Sequence, residues 1–185
     1  MILWSFFEYK FNKDGGLLMG IELRELSLED GKEIYDLLQE IGPEENGFMN
    51  GAYGVEFENF TSYLVDNVKM GKGIELPPGK VPQITYWLFV DGKPVGIGKL
   101  RTKLNENLLK AGGNIGYYIK PTARKKGYGT LLLKKLLKIS KLKNIKKVLL
   151  TCNENNIGSQ KVIEGNEGKL ENIVEGRCRY WITIK

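Results

Sequence analysis

The sequence predicts a single α/β domain with a mixed, mostly antiparallel central sheet flanked by helices, and three observations carry that expectation. Thr85 to Val90 and Pro94 to Lys103 are apolar-rich runs joined by Asp91-Gly92, the dipeptide of a type I′ turn, so these two strands pair antiparallel. Apolar residues recur at helical spacing elsewhere, most clearly in Gly129 to Leu142, where Leu132, Leu136 and Ile139 share one face and Lys134, Lys138 and Lys141 the other. With 185 residues, 42% of them hydrophobic, the chain can build one sizeable core, and two independent domains are not expected.

Residues 1–19 differ in pattern from the rest of the chain. Met19 directly precedes the strand pattern Ile21-Leu23-Leu26, and Gly15-Gly16 fits a translated ribosome-binding purine run. We therefore expect an N-terminal extension of uncertain origin over 1–19, Met19 as the native start, and a domain over 20–185. After a strand at about 20–26, a helix is expected from a Ser27 cap with Asp30 close behind, through Ile34, Leu37, Leu38 and Ile41 to Gly42-Pro43. A second helix is expected over 55–69 through Phe57, Phe60, Leu64 and Val68. The glycine- and proline-rich stretch Gly71 to Pro82 connects it to the hairpin and is expected to border the functional site. Asn114 to Ile119 reads as a strand after Gly112-Gly113. Beyond the helix at 129–142 come a strand over Lys147 to Cys152, a helix over Asn156 to Glu164, and strands at about 169–174 and 178–184.

Composition excludes several chemistries. Without histidine, no Ser/His or Cys/His nucleophile pair exists, nor the commonest metal ligand. Cys152 and Cys178 are too few for a disulfide framework or a four-cysteine zinc site, and their apolar strand contexts predict buried free thiols; no metal is expected. No apolar run approaches the roughly 20 residues of a membrane span, and Met1 to Phe7 lacks a leading charge and is followed by Glu8, so a cytoplasmic location is expected. The net charge of +6 is unevenly placed. Residues 120–147 hold 11 Lys/Arg and no carboxylate, whereas residues 29–68 hold ten carboxylates against Lys32 alone. The first segment suits an anion and the second a cation.

The chemistry concentrates in Ile119 to Thr130, a strand end leading through Gly127 and Gly129 into a helix. Glycines let the backbone approach a ligand closely, and free amides at a helix start favour negative charge, so a pyrophosphate held with help from Arg124, Lys125 and Lys126 is the expected guest. Neither a P-loop nor a dinucleotide fingerprint is present: Gly96-Ile97-Gly98-Lys99 lacks the frame of the first and reads as strand.

Arg124-Lys125-Lys126-Gly127-Tyr128-Gly129 resembles the R/Q-x-x-G-x-G acetyl-CoA loop of the GNAT superfamily, and Asn156, Ser159 and Glu164 are in step with its next cofactor helix. Trp87, Gly112 to Tyr117, Leu150-Thr151-Cys152 and Arg179 to Ile182 are similar to a bacterial subgroup known chiefly as predicted acetyltransferases. The resemblance covers about residues 20–185. It implies helices on both sheet faces, a cofactor cleft where two neighbouring strands diverge, and direct acetyl transfer from acetyl-CoA to a primary amine. It implies cofactor contacts at Ile119, Arg124, Lys125, Lys126, Gly127, Tyr128, Gly129, Thr130, Asn156 and Ser159, with a backbone N–H near Ile119 polarising the thioester. Two positions depart from the family. Gly113-Asn114 stands where some members keep a carboxylate, and Ile163 where a tyrosine acid is common. Glu106, Tyr117 and Tyr180 are then the candidates for proton transfer, with ordered water as a further route. Cys152 is an unfavourable nucleophile on an apolar strand. Trp87 and Trp181 are expected in the core rather than as pocket walls.

The acceptor is expected to be a small-molecule or protein amine, cationic if the acidic segment 29–68 flanks its cleft. Glu44, Glu45, Glu56 and Glu58 are the carboxylates to neutralise in a test. Two other functions compete: a basic module binding nucleic acid, which the scarcity of interleaved aromatics beyond Tyr128 disfavours, and an acyl-CoA sensor without turnover. Homodimer formation is left open by the sequence.

Overall fold

Asp91 and Gly92 both lie at positive φ, 49° and 73°, and reverse the chain between two strands of the central sheet. The computed structural model describes the backbone of residues 5–11 and 17–184 and the side chains of 20–184; Gly15-Gly16 lies outside these residues. In chain order the elements are β1 (Ser5–Phe11), β2 (Leu17–Glu25), α1 (Lys32–Ile41), β3 (Glu44–Glu45), β4 (Phe48–Met49), α2 (Phe60–Lys72), β5 (Gln83–Val90), β6 (Lys93–Arg101), α3 (Glu106–Lys110), β7 (Ile115–Ile119), α4 (Tyr128–Leu142), β8 (Lys147–Asn153), α5 (Ile157–Glu164), β9 (Lys169–Val174) and β10 (Arg177–Thr183).

Five strands form the main sheet in the order β1-β2-β5-β6-β7, antiparallel throughout, and a second sheet has the order β8-β10-β9. The period-2 alternation of the strands divides the core into two layers. Tyr86, Leu88 and Val90 of β5 pack with Leu132, Leu133, Leu136 and Ile139 of α4. Trp87 and Phe89 pack on the opposite face with Ile34, Leu37, Leu38 and Ile41 of α1 and Phe60 and Leu64 of α2. Helices therefore cover both faces. Leu132 and Leu136 have no accessible surface, and burying each contributes about 1.5–3 kcal/mol. Gly96 and Gly98 lie under this helix: a Cβ at Gly98 would come within 2.7 Å of Leu136 Cδ1, so the glycines of the P-loop-like stretch serve strand–helix packing.

The start of α1 differs from expectation. Asp30 does not enter a helical first turn. Its carboxylate is buried, accepting from the indole Nε1 of Trp87 at 2.6 Å, the Ser27 amide at 3.0 Å and Arg24 Nη2 at 3.2 Å. This tertiary network outweighs the local cap, and α1 starts after Gly31 instead. Trp87, fully buried, belongs to the core as expected, and Trp181 is half-buried on β10.

Candidate active site

The two sheets meet at one joint and then separate. The Asn114 amide donates to the Leu149 carbonyl at 2.7 Å, the Asn114 Oδ1 accepts from the Leu149 amide at 2.8 Å, and the Asn114 Nδ2 donates to the Arg101 carbonyl at 3.0 Å. Gly113 lies at φ 62°, where a Cβ would sit 2.2 Å from the Leu149 oxygen, so only glycine permits this approach. Gly113-Asn114, which cannot titrate, is thus the structural joint. Past it, Ile115 to Ile119 of β7 and Leu150 to Cys152 of β8 line a shared cavity of about 790 Å³. Lys120 donates to the Val95 carbonyl and Arg101 to that of Asn114, so antiparallel alternation turns the backbone groups of Ile115, Tyr117 and Ile119 away from β6 and toward the gap.

At the far end of β7, a 3₁₀ turn over Pro121–Ala123 delivers the chain into the predicted loop. Lys125 (φ 61°) and Gly127 (φ 79°) take left-handed conformations, and Gly127 caps α4 with no side-chain hydrogen bond. The Leu131 amide is the first to find a helical acceptor, at the Gly127 carbonyl, leaving the first-turn amides of α4 without an intrahelical partner. Lys125, Gly127, Tyr128, Gly129 and Thr130 line the cavity here, as do Asn156 and Ser159 of the neighbouring α5. Asn156 caps α5, its Oδ1 accepting from the Ser159 amide at 3.0 Å. Lys126 is outside the cavity lining.

Arg124 lines the cavity but is engaged. Its Nε donates to the Ile119 carbonyl at 3.1 Å, and its Nη1 and Nη2 fork onto Glu45 at 3.0 and 2.7 Å. The guanidinium lies 4.9 Å from the Tyr118 ring centre, and the Tyr118 hydroxyl donates to Glu45. Arg124 and Tyr118 hold the Glu45 carboxyl below its ordinary range. Glu45 belongs to the short hairpin β3–β4, an element absent from the sequence expectations. Its signal was present: Asn46-Gly47 is a type I′ dipeptide, and the two take φ 52° and 80°. The hairpin forms one cavity wall, with Phe48 5.5 Å from the Tyr118 ring and 4.5 Å from Lys99 Nζ, which donates to the Met49 carbonyl at 2.7 Å.

Of the proton-transfer candidates, only Tyr117 lines the cavity. Its hydroxyl donates to the Ser159 carbonyl at 3.4 Å, and burial raises its pKa well above the ordinary phenol range. Glu106 is the exposed first residue of α3, outside the cavity lining. Tyr180 is buried in the core and donates to Glu164 Oε1 at 3.0 Å, because β10 pairs with β8 and turns this side chain inward. Cys152 lines the cavity, yet burial pushes its thiol up to about 12. Of the four carboxylates singled out for a cationic acceptor, Glu44, Glu56 and Glu58 are exposed and outside the cavity lining, and Glu45 is bound to Arg124. Much of the acidic segment is committed elsewhere, Glu40 to Lys120 and Glu33 to Arg24, so it gives the cavity no free carboxylate.

An anion-ready helix start and a strand edge with outward-facing backbone groups thus border one cavity between two diverging strands. The fold is shared with the Salmonella typhimurium acetyl transferase that modifies the N-terminal serine of 50S ribosomal subunit protein L7/L12, at 16% identity over 89% of this chain and 95% of that one, TM-score 0.62. It is shared with the ribosomal-protein-S5-alanine acetyltransferase of Vibrio fischeri, at 14% identity over 89% and 93%, TM-score 0.66. A ribosomal L7/L12 alpha-N-protein acetyltransferase, RimL, solved in complex with coenzyme A, aligns at 16% identity over 89% and 94%, TM-score 0.62. No curated protein matches the sequence. Among the described residues no helix is long and apolar enough to cross a membrane. The model of the Acetyltransferase (GNAT) family matches residues 33–165, which contain the Arg124 to Thr130 loop and both strands of the cleft it opens onto, and the chain belongs to that family of acetyl-CoA-dependent N-acetyltransferases.

Proposed function

We propose that this chain transfers the acetyl group of acetyl-CoA directly to a primary amine in the cleft between β7 and β8. The observation that carries the proposal is the continuity of one cavity from the open first turn of α4 to the gap-facing edge of β7. Lys125 and the amides at the start of α4 would hold the pyrophosphate, with the helix dipole favouring its charge. The pantetheine arm would follow the backbone groups of Ile119 and Tyr117, placing a β7 amide where the thioester oxygen gains charge. Asn156 and Ser159 would flank it from α5.

The cosubstrate supplies an activated acyl group. The amine nitrogen bonds to its carbonyl carbon as the carbon–sulfur bond breaks, the sulfur leaves as a thiol after gaining a proton, and the nitrogen loses one. Tyr117, protonated throughout the neutral range, suits the donor role and not that of a base. Glu45 is held as a carboxylate by Arg124, so we assign the amine's proton to water. The chain's main contributions are then positioning and a preorganised amide.

Residues 1–19 are, in this proposal, an extension to the catalytic domain, which the family model matches from residue 33. The reaction belongs in the cytoplasm, in keeping with Cys152 and Cys178, cross-strand neighbours that remain free thiols.

Calorimetric titration of acetyl-CoA and CoA into wild type and Gly127→Asp tests the cofactor site. A Cβ at Gly127 meets nothing within 4 Å, so the variant bears only the left-handed strain of φ 79°, about 1 kcal/mol, and should fold while its carboxylate opposes the pyrophosphate. Micromolar binding lost in the folded variant is expected. Folded wild type that binds neither ligand overturns the proposal.

A further inference from the structure

The acceptor end of the cavity has a charge opposite to the one expected from the acidic segment. Among the described residues, the cavity as a whole is lined by Lys80, Lys99, Arg101, Arg124, Lys125 and Arg177 against one carboxylate, Glu45. Arg124 neutralises that carboxylate, and Lys125 belongs to the cofactor loop. Lys99 and Arg101 stand elsewhere. They are two residues apart on β6 and so share a face, and the register sets Lys99 opposite Gly116 of β7. Gly116 lies three residues from Ile119, roughly 10 Å along the strand, so the pair stands at the end of β7 remote from the pyrophosphate loop. Arg101 Nη1 donates to the Gly113 carbonyl at 3.2 Å and lies 4.0 Å from a Cβ position at Gly116. Among the described residues, Lys99 meets a carbonyl and the Phe48 ring. Among the described residues, neither side chain forms an ion pair. Gathering unpaired cations in a half-buried cavity is unfavourable until an anion joins them, and burial together with their mutual repulsion pushes Lys99 down to about 8.

We infer that the acceptor is an amine that also carries an anionic group, carboxylate or phosphate, bound by Lys99 and Arg101 with Lys80 at the rim, its amine facing the β7 edge. Lys99 and Arg101 select the substrate in this arrangement, and the acyl transfer is the one proposed above. The inference rests on that proposed function, and the experiment separates the two.

Initial rates are measured with acetyl-CoA and matched amine pairs, O-phosphoethanolamine against ethanolamine and β-alanine against β-alaninamide. At least one anionic member should exceed its neutral partner about tenfold or more in kcat/KM, equivalent to about 1.4 kcal/mol or more. Lys99→Met keeps the aliphatic stem over Phe48 and should erase that preference through KM, while Lys99→Arg should restore it. Acetyl-CoA affinity should stay within about twofold in both variants, because the cofactor loop is remote. Neutral amines equal to or better than their anionic partners overturn the inference, as does a preference that survives Lys99→Met. A loss of kcat at unchanged KM in Lys99→Arg also overturns it, since that would make Lys99 a proton carrier. If no amine turns over, the same pairs are titrated into CoA-saturated protein. Failure of the anionic members to bind there overturns the inference, whereas failure of CoA itself to bind overturns the proposed function.

Discussion

Glu45 and Arg124, 79 residues apart in sequence, form a two-pronged ion pair that ties the β3–β4 hairpin to the glycine loop ahead of α4. The motif arginine thus meets any incoming phosphate already paired with a carboxylate. Glu45→Gln keeps an acceptor for Tyr118 and removes the charge, so acetyl-CoA should bind about threefold tighter at low salt, with the gain shrinking as ionic strength rises. Calorimetry at two salt concentrations measures this. Weaker binding in Glu45→Gln would mean that Glu45 orients Arg124 for the cofactor.

The same pair gives a signed pH dependence. Glu45 has a lowered carboxyl pKa in the folded state, so its stabilisation is present above the ordinary value of 4.5 and is lost as pH falls through the lowered one. Arg124 stays protonated throughout. Acid unfolding followed in wild type and Glu45→Gln should show a smaller loss of stability below pH 4.5 in the variant; identical profiles would remove the pair as a contributor.

Lys99 acts in the other direction. Its folded-state pKa is lowered to about 8 from 10.5, with Arg101 and Lys80 facing it, so its cost to folding is full below about pH 8 and fades as pH rises toward 10.5. The stability of wild type relative to Lys99→Met should therefore improve across that window. Denaturant midpoints at about pH 7 and about pH 10 report it, and a flat difference would contradict the burial of this cation.

Gly113→Ala should cost about 3 kcal/mol or more, combining left-handed strain with a Cβ placed against the Leu149 carbonyl. Because this residue joins the two sheets, acetyl-CoA affinity should fall as well. Gly79→Ala, also at positive φ (74°) but with open space around it, should cost only about 1 kcal/mol. Equal losses in the two variants would refute the joint.

Cys152→Ala should keep kcat within about threefold, and iodoacetamide should label the folded protein slowly at about pH 8, since the thiol's pKa is pushed up to about 12. A thousandfold fall in kcat would instead indicate a covalent intermediate.

The legibility of this protein depends on the range of each interaction. Asp91-Gly92, the apolar stripe of α4 and the glycine loop at 127–129 act over a few residues, and each was readable from the sequence because turn and helix geometry depend on neighbours. Asn46-Gly47 was equally local, yet its flanking strands have two residues each, too short for a period to register. Asp30 was misplaced because a buried hydrogen bond to Trp87, 57 residues away, outweighs a helix cap. Glu106 and Tyr180 were plausible by residue type and failed by placement, one exposed on a short helix and the other turned into the core.

By itself the sequence determined the α/β elements, the antiparallel hairpin and the loop that resembles an acetyl-CoA site, since these rest on local periodicity and backbone chemistry. Only the tertiary structure decided where charge meets the cleft. Sheet register brings Lys99 and Arg101 to the end of the cleft remote from the Arg124 to Thr130 loop, while ion pairs and solvent take most of the acidic segment's carboxylates. Net charge along a chain says which ions are present; which of them remain unpaired in a cavity depends on distances that only folding sets.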